Sequence, residues 1–109
     1  MPGRVHLFRQ SDAIATYLYA IVAGKYGYHE STVEDMPPMR IYARKSILAD
    51  VDKEMMFRLT ISGIRFYTEF FGPSYPFRKY DMIFTPEHNC GAMENVGCVT
   101  FNEKYMYRG

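Results

Sequence analysis

The helical pattern between Asp52 and Gly72 constrains the fold of this chain more than any other feature. Apolar residues recur there at alternating three- and four-residue spacing, as on one face of an α-helix; these are Met56, Leu59, Gly63, Phe66 and Phe70. Asp50 or Asp52 is a candidate N-cap, and Glu54 in the first turn complements the helix dipole. Gly72 followed by Pro73 predicts the end of the helix. We expect the apolar stripe to pack against a sheet; a hydrophobic ligand groove along it is the alternative.

Four segments rich in β-branched and aromatic residues predict strands around this helix. They cover residues 15–23, 39–44, 80–84 and 98–101. Both faces of the first segment are apolar, so that strand needs cover on both sides. In the second, Ile41 and Ala43 alternate with polar positions, which predicts one buried and one solvent-facing side. The polar stretch 29–38 contains Pro-Pro and reads as a loop or domain junction. Helix and strands together predict an α+β fold.

Composition and charge exclude several classes of protein. The chain has 109 residues, 48% of them hydrophobic, which is typical of a small globular unit. The net charge of +1 gives no electrostatic basis for binding nucleic acid or an anionic membrane. No apolar stretch approaches the ~20 residues that span a bilayer, and the amino terminus lacks a signal-peptide pattern. We therefore expect no nucleic-acid partner, no membrane span and a soluble protein, with the cytoplasm favoured.

The two cysteines, Cys90 and Cys98, are too few for a disulfide framework. We expect free thiols, with a bridge between the two as the alternative. A zinc site built from His88, Cys90 and Cys98 has a spacing that matches no standard ligand pattern.

A polar connector between the last two predicted strands carries the candidate site. The strand at 80–84 is followed by Pro86, and the segment Gly91-Ala92-Met93-Glu94-Asn95 comes shortly afterwards. This layout holds Glu94 on an extended backbone at a sheet edge, where a peptide can pair alongside. In the alternative interpretation, Glu94 and Asn95 are ordinary solvated loop residues.

The run around Gly91–Asn95 resembles the exopeptidase signature of the zinc aminopeptidases related to aminopeptidase N and the puromycin-sensitive enzyme. Tyr75–Asp81 resembles the lead-in to the active-site edge strand of that family. Thr16–Gly24 resembles the last strand of its amino-terminal β domain. The resemblance covers nearly all of residues 10–107. It implies that residues 1–36 are the last strand region of that β domain and that 37–109 begin a thermolysin-like catalytic domain.

The resemblance also implies a role for each residue of the signature. Glu94 would bind the α-amine of a peptide substrate, from which the enzyme removes amino-terminal residues. A carboxylate suits this task because the α-ammonium group has a pKa of roughly 8 and is largely charged near neutrality. Gly91 and Ala92 would lend backbone groups to the peptide. Met93 would pack or line the pocket, and Asn95 would orient the loop.

Zinc is expected in the complete enzyme and not in this chain. The family holds its metal with His-Glu-x-x-His on a helix and a further Glu, all carboxy-terminal to the signature. This chain ends at Gly109, and its histidines, His6, His29 and His88, include no pair four residues apart. A catalytic zinc typically takes three protein ligands. We therefore expect no metal ligand and no catalytic residue here, and no activity from the chain alone.

Two hypotheses follow. In the first, the chain is a fragment of a zinc aminopeptidase that supplies recognition of the substrate α-amine. In the second, it is a truncated, non-catalytic relative that acts as a binding or assembly subunit. The expected partners are peptide amino termini and either the remainder of the catalytic domain or a partner protein chain. One departure from the family pattern is His88, which we expect to be a hydrogen-bonded loop histidine; altering the lip of the pocket is the alternative.

Overall fold

The computed structural model describes residues 3–10, 13–72, 78–86, 88, 91–95 and 97–106, except for the side chains of 105 and 106. These residues form one α-helix and five strands, which confirms the predicted α+β class. The helix α1 is Lys53–Phe71, and the strands are β1 Tyr26–Ser31, β2 Met39–Arg44, β3 Tyr80–Thr85, β4 Ala92–Met93 and β5 Cys98–Asn102. Within this part of the chain, no helix is both long and apolar enough to cross a membrane.

The strands form one sheet in the order β1-β2-β3-β5-β4. The three central strands β2, β3 and β5 are parallel, and the outer strands β1 and β4 are each antiparallel to their neighbour. Parallel neighbours need a crossover connection, and α1 provides it between β2 and β3. The chain then passes beyond the position of β5, runs back as β4, and turns into β5. This order puts the candidate site at one margin of the sheet.

Both ends of α1 are capped as its sequence predicts. The Asp52 carboxylate accepts a hydrogen bond from the backbone N–H of Met55 at 3.2 Å, which decides between the two candidate N-caps. Gly72 adopts φ 91° after the last turn, where a side chain would be strained. Its N–H donates to the carbonyl of Thr68 at 2.9 Å.

The hydrophobic core lies between α1 and one face of the sheet. Its buried members are Met39, Ile41, Ala43, Val51, Phe57, Met82 and Phe84. Ile41 and Ala43 are fully buried while Arg44 is exposed, so the predicted two sides of β2 are confirmed. The side chains of Thr60 and Met82 approach to 3.3 Å between helix and sheet.

The predicted packing face of α1 was largely wrong. Of the predicted stripe, Leu59, Phe66 and Phe70 are 58–72% exposed, and only Met56 packs on the core. Phe57, Ile61 and Ile64 pack there instead. The exposed aromatic rings pack on each other along the helix, as in the stacked Phe66–Phe70 pair at 5.8 Å. The helix has two apolar stripes, and periodicity cannot say which of them meets the sheet.

The strand predicted at 15–23 was also wrong. Residues 13–24 contain a short 3₁₀ turn at Thr16–Leu18 and no strand, and Ile21 is 99% exposed. The edge strand is instead β1, which runs into the stretch 29–38 that was expected to be a loop or domain junction. It pairs with β2 along its whole length, from Tyr26 opposite Arg44 to Ser31 opposite Met39. Residues 26–31 form the strand because they pair with β2, and this pairing outweighs the higher strand propensity of residues 15–23. The division between 36 and 37 falls between these two strands, and stays a prediction.

Candidate functional site

The edge strand β4 carries the second and third residues of the signature. It pairs antiparallel with β5, with Ala92 opposite Phe101 and Met93 opposite Thr100. In the described part of the chain β5 is its only partner, so its other side is an open edge. The signature therefore lies at the edge of the sheet, as the sequence predicts. The strand β3 ends at Thr85, directly before Pro86, where its end was predicted.

Backbone hydrogen bonds attach both ends of the signature to β5. At its start, the N–H of Asn102 donates to the carbonyl of Gly91 at 2.8 Å. At its end, the N–H of Cys98 donates to the carbonyl of Asn95 at 3.1 Å and closes a tight turn. Each bond links the signature to a central part of the sheet and not to another loop.

The turn between β4 and β5 requires a glycine. Gly97 has φ 61°, a region that residues with a side chain rarely adopt. A Cβ atom there would also come within 3.3 Å of the Lys79 carbonyl. The Gly97 carbonyl accepts a hydrogen bond from the N–H of Asp81 at 3.0 Å, which ties the turn to β3 as well.

Three polar side chains, one of them from the last residue of the signature, form a hydrogen-bonded cluster. The Thr100 hydroxyl is 2.8 Å from His88 Nε2 and 3.4 Å from Asn95 Nδ2. Asn95 and Thr100 are both buried. In addition, Asn102 Nδ2 donates to the carbonyl of His88 at 3.3 Å. His88 is therefore hydrogen-bonded, as expected of a loop histidine.

The Glu94 side chain differs from this cluster because it is exposed. Among the described residues, its carboxylate makes neither a hydrogen bond nor an ion pair. Gly91 and Met93 are half-buried, and Ala92 is exposed. The arrangement thus combines a fixed backbone, two small residues and a carboxylate that is available to a cation from outside.

Cys98 begins β5 directly after the turn. It is a free thiol, as expected, and is half-buried. Burial raises the pKa of this thiol; the nearby Lys79 acts to lower it, and Asp81 acts to raise it. Lys79 and Asp81 form an ion pair with each other. Cys90, its suggested disulfide or zinc partner, lies outside the described residues.

The described residues do not provide the ligands of a catalytic zinc site. They contain no group of three His, Cys, Asp or Glu side chains that could hold a metal ion. His29 Nε2 lies 3.2 Å from the carbonyl of Leu48, on the far side of the sheet order from β4. His88 is engaged with Thr100.

Sequence reasoning missed the part played by Thr100. Its signal is a hydroxyl residue between the apolar residues Val99 and Phe101 of β5. A buried hydroxyl group needs a hydrogen-bond partner, and Thr100 finds two in the segments before and after the edge strand, His88 and Asn95. Which partner it takes depends on the register of β4 against β5, and this is not visible in the sequence.

The sequence that forms this sheet and its edge strand matches a known family of peptidases. The peptidase family M1 domain matches residues 55–108, from the first turn of α1 past the signature. The chain belongs to this family, whose aminopeptidases are zinc metallopeptidases.

Within the family, the relatives are aminopeptidases of the aminopeptidase N type, as the resemblance implied. Aminopeptidase N of Streptomyces lividans is 38% identical over 104 residues, which are 93% of this chain and 12% of the relative. Aminopeptidase M1 of Arabidopsis thaliana is 37% identical over 98 residues, which are 88% of this chain and 11% of the relative. Aminopeptidase N of Homo sapiens is 32% identical over 99 residues, which are 91% of this chain and 10% of the relative. The chain thus spans about a tenth of the length of these curated relatives.

Proposed function

We propose that this chain is the part of a zinc aminopeptidase that recognises the free α-amine of a peptide substrate, with Glu94 as the binding group. The observation that carries the proposal is the exposed carboxylate of Glu94, uncommitted among the described residues and next to the open edge of β4. A carboxylate is the natural partner of an α-ammonium group, which is largely charged near neutral pH.

The edge strand supplies the second element of recognition. An extended peptide can add to an open sheet edge through main-chain hydrogen bonds. Gly91 and Ala92, with little or no side chain, let such a peptide approach closely. Met93 lines the site, and Asn95 orients the chain that follows Glu94. Because the carboxylate binds the amino terminus, the site prefers the end of a peptide over an internal segment.

In this proposal, zinc chemistry belongs to residues other than the described ones. The described residues bind and orient the substrate, and hydrolysis requires a metal site that they do not provide. We therefore expect the 109-residue polypeptide alone to lack peptidase activity.

A second candidate is a non-catalytic relative that binds peptide amino termini or takes part in an assembly. The observation that favours it is the exposed aromatic face of α1, formed by Phe66, Tyr67, Phe70 and Phe71. Such a face is typical of a surface that contacts further polypeptide, either the remainder of a catalytic domain or another chain. Both candidates assign the same role to Glu94. Hydrolysis of an aminoacyl anilide by the intact protein separates them.

The test of the proposal is Glu94→Gln in the intact protein. We expect the wild-type protein to bind a peptide with a free amino terminus at least about tenfold more tightly than its N-acetylated form, because acetylation removes the charge. The substitution keeps the shape of the side chain and removes its charge, so this preference should disappear. Isothermal titration with the two peptides measures the ratio.

The matched control is Glu69→Gln, which removes an exposed carboxylate from α1, away from the edge strand. It should leave the ratio of the two affinities unchanged. A Glu94→Gln protein that still prefers the free amine would exclude Glu94 from this role.

A further inference from the structure

The residues on both sides of Glu94 are linked to one residue of β5, Thr100. Met93, which precedes it, lies opposite Thr100 in the ladder between β4 and β5. Asn95, which follows it, donates a hydrogen bond from Nδ2 to the Thr100 hydroxyl. The direction of the backbone at Glu94 therefore depends on two links to the same residue of β5.

His88 determines how that hydroxyl is oriented. A threonine hydroxyl has one hydrogen to donate and two lone pairs. Thr100 accepts from Asn95, and its hydroxyl is also hydrogen-bonded to His88 Nε2 at 2.8 Å, with the donor set by the His88 tautomer. Thr100 and Asn95 are both buried, so a polar group left without its partner there would be costly. The three side chains thus form a hydrogen-bonded series from Asn95 through Thr100 to His88.

The edge strand needs such a support because it is short. β4 comprises only Ala92 and Met93, and its ladder with β5 has only two residue pairs. Short strands at a sheet edge open easily. The side-chain series extends the attachment of β4 by two residues, to Asn95, and so includes the position of Glu94.

We infer that Thr100, oriented by His88, is a positioning residue for Glu94 and sets the selectivity of the site for a free α-amine. This inference rests on the proposed function of Glu94. Loss of the Thr100 hydroxyl frees the Asn95 side chain and lets the backbone at Glu94 change direction. The peptide still pairs with β4, but its ammonium group meets the carboxylate less well.

Thr100→Val in the intact protein tests the inference, because valine has the shape of threonine without the hydroxyl. We expect the ratio of affinities for the free-amine peptide and its N-acetylated form to fall about fivefold, as for the loss of one hydrogen bond. Thr100→Ser keeps the hydroxyl and should keep the wild-type ratio of the two affinities. A merely structural role would lower both affinities equally and leave the ratio unchanged.

Thr85→Val is the matched control in the same sheet. The Thr85 hydroxyl donates to the carbonyl of Phe101 on β5 at 3.3 Å, and not to Asn95, Thr100 or His88. Its loss removes a hydrogen bond of the same kind, and the ratio should stay at the wild-type value. If Thr100→Val does not fold, His88→Leu decides, since it removes only the outer, half-buried end of the series. It should also lower the ratio.

The outcomes separate this inference from the proposal on which it rests. If Glu94→Gln abolishes the preference while Thr100→Val or His88→Leu keeps the wild-type ratio, the positioning role is overturned and the role of Glu94 stands. A preference that survives Glu94→Gln overturns both. A ratio that falls equally in the Thr85→Val control also overturns the positioning role, because the effect is then a general one of the sheet.

Discussion

At the scale of single residues, several carboxylates of this chain pair within the fold, whereas the one proposed to bind substrate does not pair with any described residue. Glu103 accepts two hydrogen bonds from the Arg44 guanidinium, at 2.5 and 3.1 Å. Glu30 pairs with Arg40 at 3.4 Å. Exposed pairs of this kind contribute about 0–1 kcal/mol to stability. Glu94 has no such pair among the described residues, which leaves its charge available to a ligand.

The thiol of Cys98 provides a prediction on pH dependence. Burial raises its pKa, so at pH 8 the native protein holds less reactive thiolate than an ordinary cysteine, whose pKa is about 8.5. Alkylation of Cys98 by iodoacetamide should therefore be slow, and its pH midpoint should be higher in the native than in the denatured protein. Mass spectrometry of the Cys98 peptide measures the rate of alkylation and its pH midpoint. The reaction is followed from about pH 7 to about pH 10, a range that includes the ordinary pKa of cysteine.

Lys79 supplies the control for this prediction, since it acts to lower the pKa of the thiol. Lys79→Met should move the midpoint of Cys98 alkylation further upward. Identical native and denatured midpoints would show that burial does not perturb the thiol, whatever the absolute rates.

At the scale of elements, the N-cap of α1 is the clearest case of a local signal with a local consequence. Asp52→Ala removes the acceptor of the Met55 N–H and should destabilise the start of the helix by about 1 kcal/mol. Hydrogen exchange of the first-turn amides in the intact protein should then quicken about fivefold.

Two variants make this result specific. Asp52→Asn keeps a capping oxygen and should exchange at nearly the wild-type rate. Asp50→Ala removes the carboxylate of the other candidate, which lies in the 3₁₀ turn before the helix and does not cap it. Equal effects of the Asp50 and Asp52 substitutions would contradict the assignment of the cap.

At the scale of the whole molecule, the main feature is the apolar surface that the described residues leave open. Phe66, Tyr67, Phe70 and Phe71 on α1 are 58–72% exposed, and Ile21 in the amino-terminal segment is 99% exposed. Soluble monomers rarely show contiguous apolar patches of this kind. We expect the 109-residue polypeptide by itself to bind a hydrophobic dye and to self-associate.

Sedimentation velocity over a range of concentrations measures this association. The double substitution Phe66→Ser and Phe70→Ser should reduce it, because it removes two stacked rings from the exposed face. Glu69→Ser, which lies between them in sequence, should not. A dilute, monodisperse monomer that melts cooperatively would contradict the expectation.

The comparison of sequence and structure shows where local signals suffice. The strand at 39–44 was predicted with its bounds and its buried side, because alternation of apolar and polar residues is a property of the segment itself. The start and end of α1 were predicted for the same reason. The signature was placed between two strands because the turn residues around it are equally local.

The remaining features depend on contacts between distant segments. The sequence alone determined the helix with its caps, the strands at 39–44, 80–84 and 98–101, and the position of Glu94 in the connector between the last two. Only the tertiary structure decided that β1 and not residues 15–23 is the outer strand, that Ile61 and Ile64 and not the aromatic stripe meet the sheet, and that Thr100 lies beneath Asn95. Local conformation follows from caps, turns and periodicity, whereas pairing and packing follow from which partner surface the completed sheet presents.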